Sequence, residues 1–164
     1  MELKDAVSSL ARPLLRYCLA RTGQVQAAED IAQEALTALV SRWRRLGPPE
    51  SPEAFVFSIA RRRAQRAQAK RLLFSPIEAL AALHDDRADP QYEAELRAQL
   101  RAVRSALKHL SPSEREAILL VAAGELKLTE AALVLGISDS AMRMRVQRAR
   151  KRIRTVLEPE YESA

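Results

Sequence analysis

Thr129 to Arg154 reads TEAALVLGISDSAMRMRVQRARKRIR. A short apolar run breaks at Gly136, and a helix-favouring stretch follows. That stretch carries seven cations: Arg143, Arg145, Arg148, Arg150, Lys151, Arg152 and Arg154. Two helices joined by a short glycine turn predict a helix-turn-helix. Gly136 suits the left-handed backbone of such a turn. Ile137 is placed to plug the gap between the helices, Ser138 to cap the second one, and Asp139 to sit at its positive end. Met142, Val146, Ala149 and Ile153 recur at helical spacing and form the stripe expected to be buried. The opposite face presents Ser140, Arg143, Met144, Gln147 and Arg148. Arginine can pair bidentately with guanine and glutamine with adenine, so the early residues suit a major groove and the later cations suit phosphates. Taken alone, the pattern also fits a basic amphipathic surface helix.

The surrounding composition favours helix throughout. The chain has 164 residues, 48% of them hydrophobic and 4% aromatic, with few Gly and Pro. Ala, Leu, Arg, Gln and Glu are abundant, and all favour helix. An all-α fold of two small helical domains is expected. Net charge is +6, with a pI near 10.0. Such a balance points to an anionic partner, nucleic acid or membrane, although a GC-rich genome also raises arginine. The single cysteine, Cys18, lies in the apolar LLRYCLA and reads as a buried small hydrophobe. It rules out a disulfide framework and a cysteine-based zinc site. His84 and His109 have no ligand spacing, so neither metal nor cofactor is expected. The longest apolar run, Ala117 to Ala123, falls far short of the ~20 residues a membrane span needs. The N-terminal MELKDAVSSL lacks signal-peptide order. A cytoplasmic protein without membrane insertion is expected.

Upstream, Leu10, Leu14, Leu15, Cys18 and Leu19 predict a helix that ends near Thr22-Gly23-Gln24. A second helix is expected over 27–46. Its apolar face holds Ala28, Ile31, Ala35, Leu39 and Trp43, and its polar face Asp30, Gln33, Glu34 and Thr37. Gly47-Pro48-Pro49 stops it. Ser51-Pro52 opens a third helix with Phe55, Val56, Ile59 and Ala60 on its apolar side. Its later part carries six cations and no acid: Arg61, Arg62, Arg63, Arg66, Lys70 and Arg71. Phe55, Phe57 and Trp43 are assigned to the core. Ser75 to Glu78 forms an S-x-x-E capping box, and the polar HDDRADP ends at Pro90. The division is therefore 1–73, a linker over 74–90, and 91–164. Ser111-Pro112-Ser113-Glu114 is a further capping box opening a helix to about Ala123, after a helix over 91–110. The tail past Pro159 is expected to fray.

LSPSEREAILLVAAGELKLTEAALVLGISDSAMRMRVQRARKRIR resembles region 4 of the bacterial sigma-70 family, in particular its small extracytoplasmic-function (ECF) members. Leu110, Ser111, Pro112, Arg115, Glu116, Glu130, Ala132, Leu135, Gly136, Ile137, Ser138, Arg148, Ala149, Arg150 and Arg152 match its pattern. AAEDIAQEALTALVSRW and SPEAFVFSIARRRAQRAQAKR resemble region 2. The resemblance spans about Leu14 to Leu157. It implies a sigma factor with two partners, core RNA polymerase and promoter DNA, and no bond chemistry of its own. Asp30, Gln33 and Glu34 would then dock on polymerase. Arg61, Arg62, Arg63, Arg66, Lys70 and Arg71 would meet the −10 region. Ser140, Arg143, Met144, Gln147 and Arg148 would meet the −35 element. An anti-sigma partner is compatible, but the sequence does not name one.

The sequence departs from the pattern in places. Arg62 stands for asparagine, Arg66 for aspartate, Phe55 for tryptophan, Lys127 for serine or threonine, and Met144 for a small polar residue. Two other classes stay open on the residues alone. One is a helix-turn-helix regulator that never joins polymerase. The other is a nucleic-acid-processing enzyme, for which no catalytic residues are found.

Overall fold

The computed structural model describes residues 2–69 and 90–158. The 74–90 linker apart from Pro90, the Ser75 to Glu78 capping box, Lys70, Arg71 and the tail past Pro159 lie outside the described residues. Among those described there are seven helices: α1 (Leu3–Thr22), α2 (Val25–Leu46), α3 (Pro52–Ala69), α4 (Pro90–Lys108), α5 (Pro112–Ala122), α6 (Leu128–Leu135) and α7 (Asp139–Leu157).

Most helix ends sit where local chemistry demands. Gly23, with φ 66°, takes the left-handed conformation after α1, and its N–H donates to the Leu19 carbonyl at 2.9 Å. Ser51 Oγ accepts from the Ala54 N–H at 3.1 Å and starts α3, with Pro52 in the first helical position. At α5, Ser111 Oγ accepts from the Glu114 N–H at 3.2 Å, and Glu114 Oε2 accepts from the Ser111 N–H at 3.1 Å. This reciprocal pair satisfies two backbone donors that would otherwise lack partners. Two features go beyond the expected pattern. The first helix begins at Leu3 and carries Pro13 inside it. Lys127 serves as the N-cap of α6 without a capping side chain, and the Glu130 carboxylate compensates by accepting the Lys127 N–H at 2.9 Å.

The helices α1, α2 and α3 pack mutually, and α4, α5 and α6 each pack on α7. In the first group Leu14, Tyr17, Leu19, Ala28, Ala35, Leu39, Val56 and Phe57 are fully buried. Tyr17 and Phe57 meet in a tilted ring contact, 5.4 Å between centroids with an interplanar angle of 60°. Phe55 and Trp43 are partly buried against this core, as the sequence predicts. Cys18 is fully buried, and burial pushes its thiol up to about 12. In the second group Met142, Val146 and Ala149 form the buried stripe of α7, joined by the partly buried Ile153.

The two groups also touch. The helix α3 packs on α6 and α1 on α5. Gly124 lies so close to Phe57 that a Cβ there would stand 2.6 Å from the ring, and equally 2.6 Å from the Leu120 carbonyl oxygen. Glycine is required by both approaches.

Candidate nucleic-acid interface

The turn motif is built as its residues predict. Gly136 ends α6 with φ 64° and ψ 37°, and its N–H and that of Ile137 donate to the Leu133 and Ala132 carbonyls at 3.3 and 3.1 Å. Ile137 is partly buried against the core. Ser138 Oγ accepts from the Ala141 N–H at 3.1 Å and caps α7, with Asp139 in its first turn. With the buried stripe anchored below, Ser140, Arg143, Met144, Gln147 and Arg148 are all exposed on one face. Met144 is 51% exposed. Further along, Arg150, Lys151 and Arg154 are exposed. Arg152 instead reaches the nearly buried Glu114 at 3.2 Å and ties α7 to the start of α5. Arg115 donates to the Leu107 and Leu110 carbonyls at 3.1 and 3.3 Å, which fastens the end of α4 to α5. Both arginines belong to the scaffold behind the exposed face.

The basic strip of α3 is uneven. Arg62, Arg63 and Arg66 are exposed. Arg61 is half-buried, and its Nε is buried without a hydrogen-bond partner among the described residues. Arg63 is ion-paired with Glu34 of α2. Lys70 and Arg71 lie outside the described residues.

On α2, Asp30, Gln33 and Glu34 are exposed together, opposite the buried Ala28, Ile31 and Ala35. Gln26 donates to Asp30 across one helical turn at 3.1 Å. Beside them a shallow apolar groove of about 540 Å³ runs between α1 and α2, floored by Ala11, Leu15, Ala32, Leu36 and Val40 and edged by Glu29, Gln33 and Thr37. The structure brings Gln33 to this groove and Glu34 to the α3 strip, so the polar face of α2 borders both.

Sequence reasoning missed a third cluster. Glu116 of α5 is 6% exposed, and its carboxylate accepts from the Tyr17 hydroxyl and pairs with Arg21 at 2.9 Å. Both partners are on α1. Burial first, and the Glu116 charge second, push the Tyr17 phenol well above its ordinary value. Arg16 of α1 is ion-paired with Glu125 nearby. The only sequence signal was an acid directly before the apolar run Ala117 to Ala123. Among the described residues no cluster of three or more His, Cys, Asp or Glu could hold a metal, and no helix is long and apolar enough to cross a membrane.

A helix-turn-helix with an exposed basic face, joined in one chain to a three-helix unit with its own basic strip, defines a DNA-binding protein of two-part helical build. Comparison with known families gives the class. Residues 6–72 match Sigma-70 region 2, and residues 100–153 match Sigma-70, region 4. The chain belongs to the sigma-70 family. Its relatives place it in the ECF group. It is 29% identical over 157 residues to the ECF RNA polymerase sigma factor ShbA of Streptomyces griseus, covering 88% of this chain and 81% of that one. It is 30% identical over 169 residues to SigG of Mycobacterium tuberculosis, covering 88% of this chain but only 46% of SigG. It is 24% identical over 163 residues to EcfG of Rhodopseudomonas palustris, covering 94% of this chain and 84% of EcfG. Two solved structures share the fold. CnrH, in complex with the cytosolic domain of CnrY, superposes with a TM-score of 0.68 at 21% identity, over 96% of this chain and 88% of that one. RpoE of Bartonella quintana, in complex with the anti-sigma factor NepR, superposes with a TM-score of 0.64 at 22% identity, over 93% and 94%.

Proposed function

We propose that this ECF sigma factor joins core RNA polymerase through the α2 face and reads promoters through α7 and α3. The observation that carries the reading is the exposed constellation Ser140, Arg143, Met144, Gln147 and Arg148 on a capped, buried-stripe helix, in a chain whose other half is region 2. In the −35 major groove Arg143 and Gln147 reach base edges, because they lie in the early turns. Arg150 and Lys151 meet phosphate or solvent. At the −10 element Arg62, Arg63 and Arg66, continued in sequence by Lys70 and Arg71, supply positive charge to the backbone. Arg61, half-buried, serves mainly from the edge. Asp30, Gln33 and Glu34 meet the polymerase clamp.

The division into a 1–73 domain, a 74–90 linker and a 91–164 domain belongs to the same reading, and the two family matches support it. The protein performs no bond chemistry itself and works in the cytoplasm, where polymerase and promoters are. An anti-sigma partner fits the reading, since RpoE was solved with one. The test is reconstitution. Purified chain added to core polymerase on genomic DNA yields discrete transcripts that neither component gives alone. A chain that binds promoter DNA without core, and leaves transcription by core unchanged, is instead a stand-alone regulator.

A further inference from the structure

Among the exposed residues in the early turns of α7, Met144 is the apolar one. It lies two residues after Met142 and two before Val146, both of them buried. At about 100° per residue, those two point to the core and Met144 points away from it. It therefore marks the middle of the exposed face, in the second turn after the Ser138 cap. Ser140 one turn before it, and Gln147 and Arg148 one turn after it, are exposed beside it, with Arg143 exposed on the flank. Each of these can donate to a base edge or a phosphate oxygen, whereas Met144 has only a thioether, a weak acceptor. Exposure alone marks nothing, because folded proteins expose many apolar atoms. What sets Met144 apart is its place.

A helix that enters the major groove by its early turns presses the middle of its outward face onto base edges. Guanine offers two acceptors there, cytosine a donor, and adenine a donor and an acceptor. A methionine set against any of these displaces water and returns no comparable hydrogen bond, so the base edge is left unsatisfied. Thymine differs. Beside one acceptor it displays the C5-methyl group, the apolar group of the major-groove edge. Covering that methyl removes apolar surface from both partners. Methionine is unbranched and adapts to small, irregular contacts. Phosphate contacts are made by donors and cations, which Met144 is not.

We infer that Met144 is a specificity-determining residue that selects thymine in the −35 element through its C5-methyl group. This rests on the assignment of α7 to the −35 major groove. It adds an apolar reading to the polar readings by Arg143 and Gln147, and it requires an A·T pair at one fixed position of the element. Met144 departs from the sigma-70 pattern, so the requirement comes from this chain's own residue.

Deoxyuridine tests the contact, because it pairs as thymine does and lacks only the methyl group. Duplexes selected from a random pool by the full chain with core polymerase serve as probes. Each −35 thymine, on either strand, is changed to deoxyuridine in turn. At one position the change is expected to weaken wild-type binding about fourfold, the size expected for burying one methyl-sized group. Met144→Ser is expected to bind thymine and deoxyuridine equally at that position, and Met144→Leu to keep most of the difference. A selection repeated with Met144→Ser is expected to lose the A·T requirement there and to keep the preference set by Arg143. A selected element without a fixed A·T pair overturns the inference. So does the absence of any deoxyuridine penalty in the wild-type chain, which needs no variant to measure, or a penalty that Met144→Ser retains. If Met144→Ser weakens binding to core polymerase without DNA, and deoxyuridine has no effect, the side chain is a protein contact instead. Arg143→Ala separates the two levels. If it relaxes the −35 preference while deoxyuridine has no effect, α7 reads the element and Met144 does not. If neither change matters at −35, the assignment of α7 itself fails, and this inference with it.

Discussion

Arg63 on α3 is ion-paired with Glu34 on α2, so the cationic strip and the acidic face share a contact. Both side chains are nearly half exposed, at 45% and 47%. A pair this wet contributes about 0–1 kcal/mol. Its removal therefore separates binding from folding. Asp30→Lys with Glu34→Lys is expected to lower the thermal midpoint by only a few degrees while sharply weakening association with core polymerase. Unchanged association together with a collapsed midpoint would make the face structural.

The −35 readout should divide along α7. Arg143→Ala is expected to cost about 1–3 kcal/mol on the cognate −35 sequence and little on unrelated DNA. Lys151→Ala should weaken all sequences alike, or none. Binding of matched and scrambled duplexes at fixed salt measures both. An equal loss on every duplex for Arg143→Ala would remove it from base reading.

The −10 contact should rely on phosphate charge more than on base identity. Asparagine offers a base both a donor and an acceptor, whereas arginine offers donors only. Arg62 and Arg66, exposed and one turn apart, make a strip suited to a backbone. Scanning each −10 base in a transcription assay is expected to show shallow preferences beside sharp ones at −35. Activity should fall steeply with salt, and less steeply in Arg62→Asn with Arg66→Asp, because fewer counterions are released. One −10 base that tolerates no change, with an unaltered salt slope in the double variant, would contradict this.

Stability should decline in alkali. Burial raises the Cys18 thiol from 9.0 to about 12, so the folded state holds its proton where the unfolded chain releases it. Its contribution is complete below about pH 9 and is lost as pH rises toward 12. Tyr17, raised above its ordinary 10.0, acts in the same direction at higher pH. The urea midpoint is expected to fall between pH 8 and pH 10.5, and to fall less in Cys18→Val. A pH-independent midpoint, or an identical fall in the variant, would show that the thiol does not carry the effect.

The exposed face of α7 was legible residue by residue. Ser138 caps the helix, Gly136 turns the chain, and the Met142, Val146 and Ala149 stripe decides which side faces out. Each signal acts within a few residues of itself, as capping and helical periodicity always do. The roles of individual cations were less legible. Arg152 lies among the cations of α7, yet it binds Glu114, and Arg115 closes the α4 to α5 turn through two backbone carbonyls. A charged side chain carries no mark of whether it will meet solvent, nucleic acid or another part of the chain.

By itself, then, the sequence determined the helices, most of their ends, the turn motif and the face α7 presents, because these follow from short-range hydrogen bonding and periodic burial. Only the tertiary structure decided that Arg63 meets Glu34, 29 residues away, and that Tyr17 meets Glu116, 99 residues away. Those pairings depend on which helices pack and at what rotation. Long-range packing places two charges within a few ångströms, or leaves them in water, and nothing in the neighbourhood of either residue along the chain distinguishes the two outcomes.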